Sequence, residues 1–176
     1  MTSLLDLMGI QTAVFTACSD DPTFHPGRCA VVKIGDFVCG KIGQIHPTVA
    51  AGYGFSAPVY AAEIDTEAMM PYCNEEKEYK PLPKYPAITR DYAFVCDENM
   101  EAGAIEAVIR RAVGKLLESI TVFDVYRGSQ LPEGKKSIAF GVTMRAADRT
   151  LTDADADKAE KKLLHCVEHE LGLVLR

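Results

Sequence analysis

The side chains with most chemical promise fall into a few groups, and spacing decides what each could do. Gly-Lys-Lys-Ser at 134–137 imitates the close of a phosphate-binding loop. Such a loop needs four residues between its glycines and a Ser or Thr directly after the Lys, so that backbone amides curl round a phosphate and the hydroxyl reaches Mg²⁺. Here five residues separate Gly128 from Gly134, and Lys136 stands where the hydroxyl belongs. Asp153, Asp155 and Asp157 imitate the start of a calcium loop, but Lys158 replaces its glycine and Leu164 its closing glutamate. His165 and His169 lie four apart, a spacing that can bind metal on a helix, without the Glu placement of the zinc peptidase motif. His25 and His46 each precede proline, with no carboxylate or thiol at ligand spacing. No Ser or Cys has both a base and an orienting partner, so no catalytic residue and no metal ligand is assigned.

Composition narrows the class. The six cysteines form no CxxC and no paired framework, which reads as reduced thiols in a cytoplasmic protein. There is no signal-peptide pattern and no apolar run near ~18 residues, so a soluble chain without a membrane span is expected. A net charge of −6 argues against holding nucleic acid by bulk electrostatics alone. Locally the balance reverses: Arg127, Lys135, Lys136, Arg145 and Arg149 face only Glu133 and Asp148 between residues 127 and 149.

These residues must be positioned by secondary structure, and the chain divides into two parts. Residues 74–84 are charged and proline-spaced, a linker or extended arm. Before it, residues 1–73 offer a short helical piece (SLLDLMGI), a loop (CSDDPTFHPGR), a β pair (CAVVKI and FVCGKIGQIH) and a further strand (VYAAEID) after a glycine-rich stretch. About three strands and a stub of helix lack a second layer, so this part reads as cut from a longer chain. After the linker, residues 85–176 show a strand at 91–96, a helix from about 101 to 119, strands at 120–127 and 136–145 joined by a Gly/Ser/Pro/Gly turn, a helix opening on a Thr152/Asp155 capping box, and a last short strand after Gly172. The fold class is α+β, and the order βαββαβ predicts a ferredoxin-like sandwich, two helices on one face of a four-stranded antiparallel sheet.

Two-residue alternation then assigns faces. Tyr92, Phe94, Cys96, Phe123, Val125, Ile138, Phe140, Val142, Met144, Leu173 and Leu175 are expected under the helices. Asp91, Ala93, Val95, Val122, Asp124, Tyr126, Ser137, Ala139, Gly141, Thr143 and Arg176 are expected on the other face. That second face is small, polar and flat, with Tyr126 beside a nearly bare middle and with Asp124 and Ser137 as acceptor and donor. A planar base can stack on such a ring and be read along its edge. A solvated sheet face with a structural tyrosine is the alternative on residues alone.

Residues 85–176 closely resemble the anticodon-binding domain at the C-terminus of the bacterial phenylalanyl-tRNA synthetase β-chain family. The motifs are YPAITRDYAF (85–94), FDVYRG (123–128), EGKKSIAF (133–140), DRTLTD (148–153) and the terminal LR, in the family's order. HPGR (25–28), GKIGQIHP (40–47) and VYAAEID (59–65) resemble the end of that chain's catalytic-like module, a class II synthetase-like antiparallel β/α fold without the chemical residues. The resemblance implies an α₂β₂ enzyme, with a synthetase α subunit and a second β subunit as partners. ATP and Mg²⁺ act on the α chain, no cofactor is expected in the present chain, and this domain grips the anticodon of tRNA(Phe). Carried over by motif, Ala93, Asp124, Tyr126 and Ser137 fall at anticodon-contacting positions and Arg176 at the family's terminal Arg. Arg127, Lys135 and Lys136 are expected to meet phosphates. Rival readings are a regulatory amino-acid-binding ferredoxin-like module and a purely structural interaction domain.

Overall fold

The computed structural model describes residues 1–74, 79 and 81–176 and resolves two compact units, Met1–Lys80 and Pro81–Arg176. Most of the expected linker at 74–84 can be followed, but residues 75–78 and 80 lie outside the described residues.

The first unit is an antiparallel meander of β1 (Ala13–Ala17), β2 (Phe24–Ile34), β3 (Phe37–Ile45) and β4 (Tyr60–Ile64), in sheet order β1-β2-β3-β4. Three short helices, α1 (Thr2–Leu7), α2 (Pro47–Gly52) and α3 (Thr66–Met69), punctuate it. Leu5, Ile10, Ile34, Cys39 and Met69 form one small core, and Cys18, Phe24 and Cys29 another. Helix α3 goes beyond the sequence expectation, and so do two further elements. AVFTA forms strand β1, too short and too uniformly apolar to alternate visibly, and it is a strand because β2 supplies a partner from Ala30 to Ile34. The glycine-rich stretch opens with helix α2, capped where His46 Nδ1 accepts from the Thr48 amide at 3.3 Å, with Pro47 at the first helical position.

The second unit follows the expected order: β5 (Ile88–Asp97), α4 (Ala102–Val113), β6 (Leu117–Tyr126), β7 (Lys135–Met144), α5 (Asp153–Leu171) and β8 (Val174–Leu175). The sheet is antiparallel, ordered β6-β7-β5-β8. Its core sits between one sheet face and both helices: Tyr92, Phe94, Ile138, Phe140, Val142 and Met144 from the strands meet Ile105, Ile109 and Ala112 of α4 and Ala156, Leu163 and Val167 of α5. At its edge the Tyr92 hydroxyl donates to Glu160 at 3.3 Å, and burial, reinforced by that carboxylate, raises its pKa.

Helix α5 begins on a complete capping box, with Thr152 Oγ1 accepting from the Asp155 amide and Asp155 accepting from the Thr152 amide. It ends on Gly172 in the left-handed region at φ 65°. Helix α4 is shorter than the 101–119 expectation. Gly114, at φ 62°, breaks it, a single 3₁₀ turn follows, and Leu117 already lies in β6. The apolar residues past Gly114 can serve either period, and the backbone reversal at the glycine decides for the strand.

One expectation about faces is overturned. The register of β6 on β7 runs Thr121↔Gly141, Val122↔Phe140 and then Asp124↔Ala139, so Phe123 is an extra residue in a β-bulge. Strict alternation put Phe123 under the helices and Val122 on the open side; the bulge reverses their parity, although Val122, on the edge strand, stays 39% exposed. Val122 pairs with a core phenylalanine, while Phe123 is 57% exposed and its Cδ1 lies 3.7 Å from the point where a Gly141 Cβ would stand, beside Asp91. Asp124, Val125 and Tyr126 resume the expected parity beyond the bulge.

Candidate nucleic-acid interface

Strand pairing orders the uncovered face into rows. Tyr126, Ser137, Val95 and Val174 make one; Asp124, Ala139 and Ala93 make the next, extended by Arg176, whose amide donates to the Ala93 carbonyl at 2.8 Å. Thr121, Gly141 and Asp91 follow, and then Ser119, Thr143 and Thr89, the last two with hydroxyls 3.3 Å apart. Two alanines and a glycine leave the centre almost level with the backbone. Ala93, Asp124, Tyr126, Ser137 and Arg176 therefore come together on one surface.

Tyr126 and Arg176 are in contact. The guanidinium carbon lies 4.8 Å from the ring centroid, and Nη2 donates to Gln130 Oε1 at 2.9 Å. The two residues belong to opposite edge strands, three spacings of about 4.8 Å apart. The contact lies toward the β6–β7 turn, where Gln130 holds the guanidinium and Gly128 abuts the phenol end. One feature departs from alternation: Ser137, expected as an open hydrogen-bonding group, is only 3% exposed, although its register puts it on the open side beside Tyr126 and it has no side-chain hydrogen-bond partner among the described residues. Gly128 fixes the other side of the tyrosine, since a Cβ there would come within 2.3 Å of the Tyr126 Oη.

The expected phosphate ligands are differently placed. Arg127 Nε donates to Glu98 at 2.7 Å, and Lys135 Nζ to Asp97 at 2.7 Å. Both cations are locally neutralised by β5 and the turn after it. Lys136 pairs with Cys96 and so has the parity of the helix-covered face. The remaining cations of the basic stretch are also engaged, Arg145 with Glu118 and the Tyr85 carbonyl, Arg149 with Asp155. The exposed charges of the open face include two carboxylates, Asp91 and Asp124, and neither has an ion-pair partner among the described residues. A face built this way is suited to base edges more than to the sugar-phosphate chain.

The decoys have structural employment. His25 Nδ1 accepts from the Gly27 amide at 3.0 Å, and His46 caps α2. His165 and His169 stand with ring centroids 5.9 Å apart on α5. Among the described residues no three His, Cys, Asp or Glu side chains converge as metal ligands. Asp153, Asp155 and Asp157 lie in the first turns of α5, where Asp155 is bound to Arg149 and Thr152. Phe123 is the residue that sequence reasoning put on the wrong face, and nothing in a period-two pattern announces a bulge.

Four antiparallel strands ordered β6-β7-β5-β8, two helices on one face and an open, aromatic-bearing other face define a ferredoxin-like sandwich. In sequence, residues 83–176 match the family model described as ferredoxin-fold anticodon binding domain, and the chain belongs to that family. Residues 1–66 match the model described as phenylalanyl tRNA synthetase beta chain CLM domain. The chain is 41% identical, over 99% of its length, to the phenylalanine-tRNA ligase beta subunit of Clostridium acetobutylicum. It is 39% identical to that of Clostridium tetani over 100% of its length, and 37% identical to that of Bacillus subtilis over 98%. It spans 22% of the length of the two clostridial relatives and 21% of the third. No helix among the described residues is long and apolar enough to cross a membrane.

Proposed function

We propose that the second unit recognises the anticodon loop of tRNA(Phe) as part of a phenylalanine-tRNA ligase beta subunit. Residues 1–73 then belong to a catalytic-like module without chemistry of its own, residues 74–84 connect, and 85–176 bind RNA. The observation that carries this reading is the row geometry: Ala93, Asp124, Tyr126 and Ser137, the residues matching the family's motifs, share one bare sheet face. In the parent enzyme, a cytoplasmic α₂β₂ assembly with its α subunits and second β subunit, ATP and Mg²⁺ would serve aminoacylation elsewhere, and this unit makes and breaks no bond.

Recognition begins with an exchange on Tyr126. In the free chain Arg176 occupies one face of the ring, a cation–π contact of about 0.5–1 kcal/mol at an exposed site. A base stacked in its place contributes about 1–3 kcal/mol. The exchange favours the base and frees the guanidinium for a phosphate, while Ser137, next to the ring in the same row, offers its hydroxyl to a base edge. Asp124 accepts from a base amino or imino group, while Ala93 and Ala139 let the ring approach the backbone. Arg127 and Lys135 lie at the rim as secondary phosphate contacts, and only by releasing Glu98 and Asp97, while Lys136 can reach a phosphate only from the opposite parity of its strand.

The test is titration of the chain with a tRNA(Phe) anticodon stem-loop. Tyr126→Ala should weaken binding by about 1–3 kcal/mol; equal affinity of variant and wild type removes the stacking claim. Heat on titrating free phenylalanine, with none from the stem-loop, would favour an amino-acid-sensing module instead.

A further inference from the structure

The bulge in β6 puts a second aromatic ring on the open face, at a position no motif assigned. Phe123 is more than half exposed, and its ring lies beside Gly141 of the neighbouring strand, which contributes no side chain of its own. Around the point where a Gly141 Cβ would stand, Asp91 Oδ1 lies at 3.5 Å and Phe123 Cδ1 at 3.7 Å. A ring, a bare backbone step and an unpaired carboxylate thus recur here, the combination that Tyr126, Ala139 and Asp124 make farther along the strand. An apolar protein partner covering Phe123 would strand the Asp91 carboxylate without a hydrogen bond, which is costly. A base satisfies both, laying its face on the ring and presenting an amino group to the carboxylate.

We propose that Phe123 is a second base-stacking platform, with Asp91 as the acceptor for the base edge, so that the face holds two bases of one RNA strand. Phe123 and Tyr126 are three residues apart on β6, about 10 Å along a strand. Stacked neighbours in a nucleic acid are separated by roughly 3.4 Å. The two rings therefore cannot hold bases that remain stacked on each other; they hold bases pulled apart, which selects a single-stranded loop over a duplex.

This inference rests on the anticodon-binding reading, and the experiment separates the two. The chain is titrated with the tRNA(Phe) anticodon stem-loop carrying a fluorescent purine analogue in the loop, whose emission stacking quenches. Phe123→Ala should weaken binding about 5- to 100-fold and reduce the quench, while Phe123→Tyr should bind within about twofold of wild type. The unfolding midpoint should stay unchanged, because the ring is exposed. If Phe123→Ala binds as wild type does while Tyr126→Ala is weakened, the second platform is refuted and the anticodon reading stands. If the unaltered chain does not bind the stem-loop, both fall.

Discussion

A single absent methyl group sets the pose of the tyrosine at the centre of the proposed interface. Alanine at Gly128 would place its Cβ 2.3 Å from the Tyr126 Oη, closer than two such atoms can stand, and the phenol end must yield because it is the movable partner. Gly128→Ala is therefore expected to lower stem-loop affinity by tilting the ring while leaving the unfolding midpoint nearly unchanged; calorimetric titration beside a melting curve checks both halves. Arg176 makes a different prediction. If its guanidinium passes from the ring to a phosphate on binding, Arg176→Ala should reduce the slope of log K against log salt by about 0.7, the contribution of one phosphate contact in a single strand. An unchanged slope would mean that the guanidinium stays on Tyr126.

Among the elements, helix α5 shows how a local device governs stability. Thr152→Ala removes one half of the capping box and should destabilise the second unit by about 1 kcal/mol, read by denaturant unfolding. The other half depends on pH. Hydrogen bonds from Arg149, and then from Thr152, hold the Asp155 carboxyl well below the usual carboxylate range. The folded state thus binds that proton less readily than the unfolded chain. The resulting stabilisation is whole above about pH 4, the ordinary carboxylate value, and is lost as pH falls through the depressed folded one. Asp155→Asn should flatten the acid limb of a stability–pH profile; an identical acid limb in variant and wild type would show that the ion pair contributes nothing. Strand β6 illustrates the opposite relation between element and residue, since one inserted position redirects Phe123 from the expected core to solvent.

For the molecule as a whole, charge arithmetic and charge geometry point the same way. A net −6 is joined by local neutralisation of Arg127 and Lys135, so few cations are free to replace the counterions of an RNA backbone. Binding of the stem-loop by this chain is expected to be weak with a shallow salt dependence, and Lys135→Ala should alter the slope little because Asp97 already holds that ammonium. A steep slope would show that the ion pairs open and that the rim does most of the binding. Affinity then has to come from stacked rings and base edges, which is what the open sheet supplies.

Much of this was legible beforehand because the relevant signals are local. Gly172, the Thr152/Asp155 box and the alternation in β5 and β7 act through neighbours a few residues away, so element order, sheet faces and the placing of Ala93, Asp124 and Tyr126 could be read from the amino acids. Tertiary structure decided what depends on partners distant in the chain. β1 became a strand because β2 pairs with it, α4 stopped at a glycine whose backbone handedness no periodicity reveals, and Lys135 lost its free charge to Asp97 across the sheet. Phe123 and Ser137 exchanged their expected exposure for the same reason. A bulge is a mismatch between two strands, and the burial of Ser137 depends on how its neighbours pack around it, so neither property belongs to one segment of sequence.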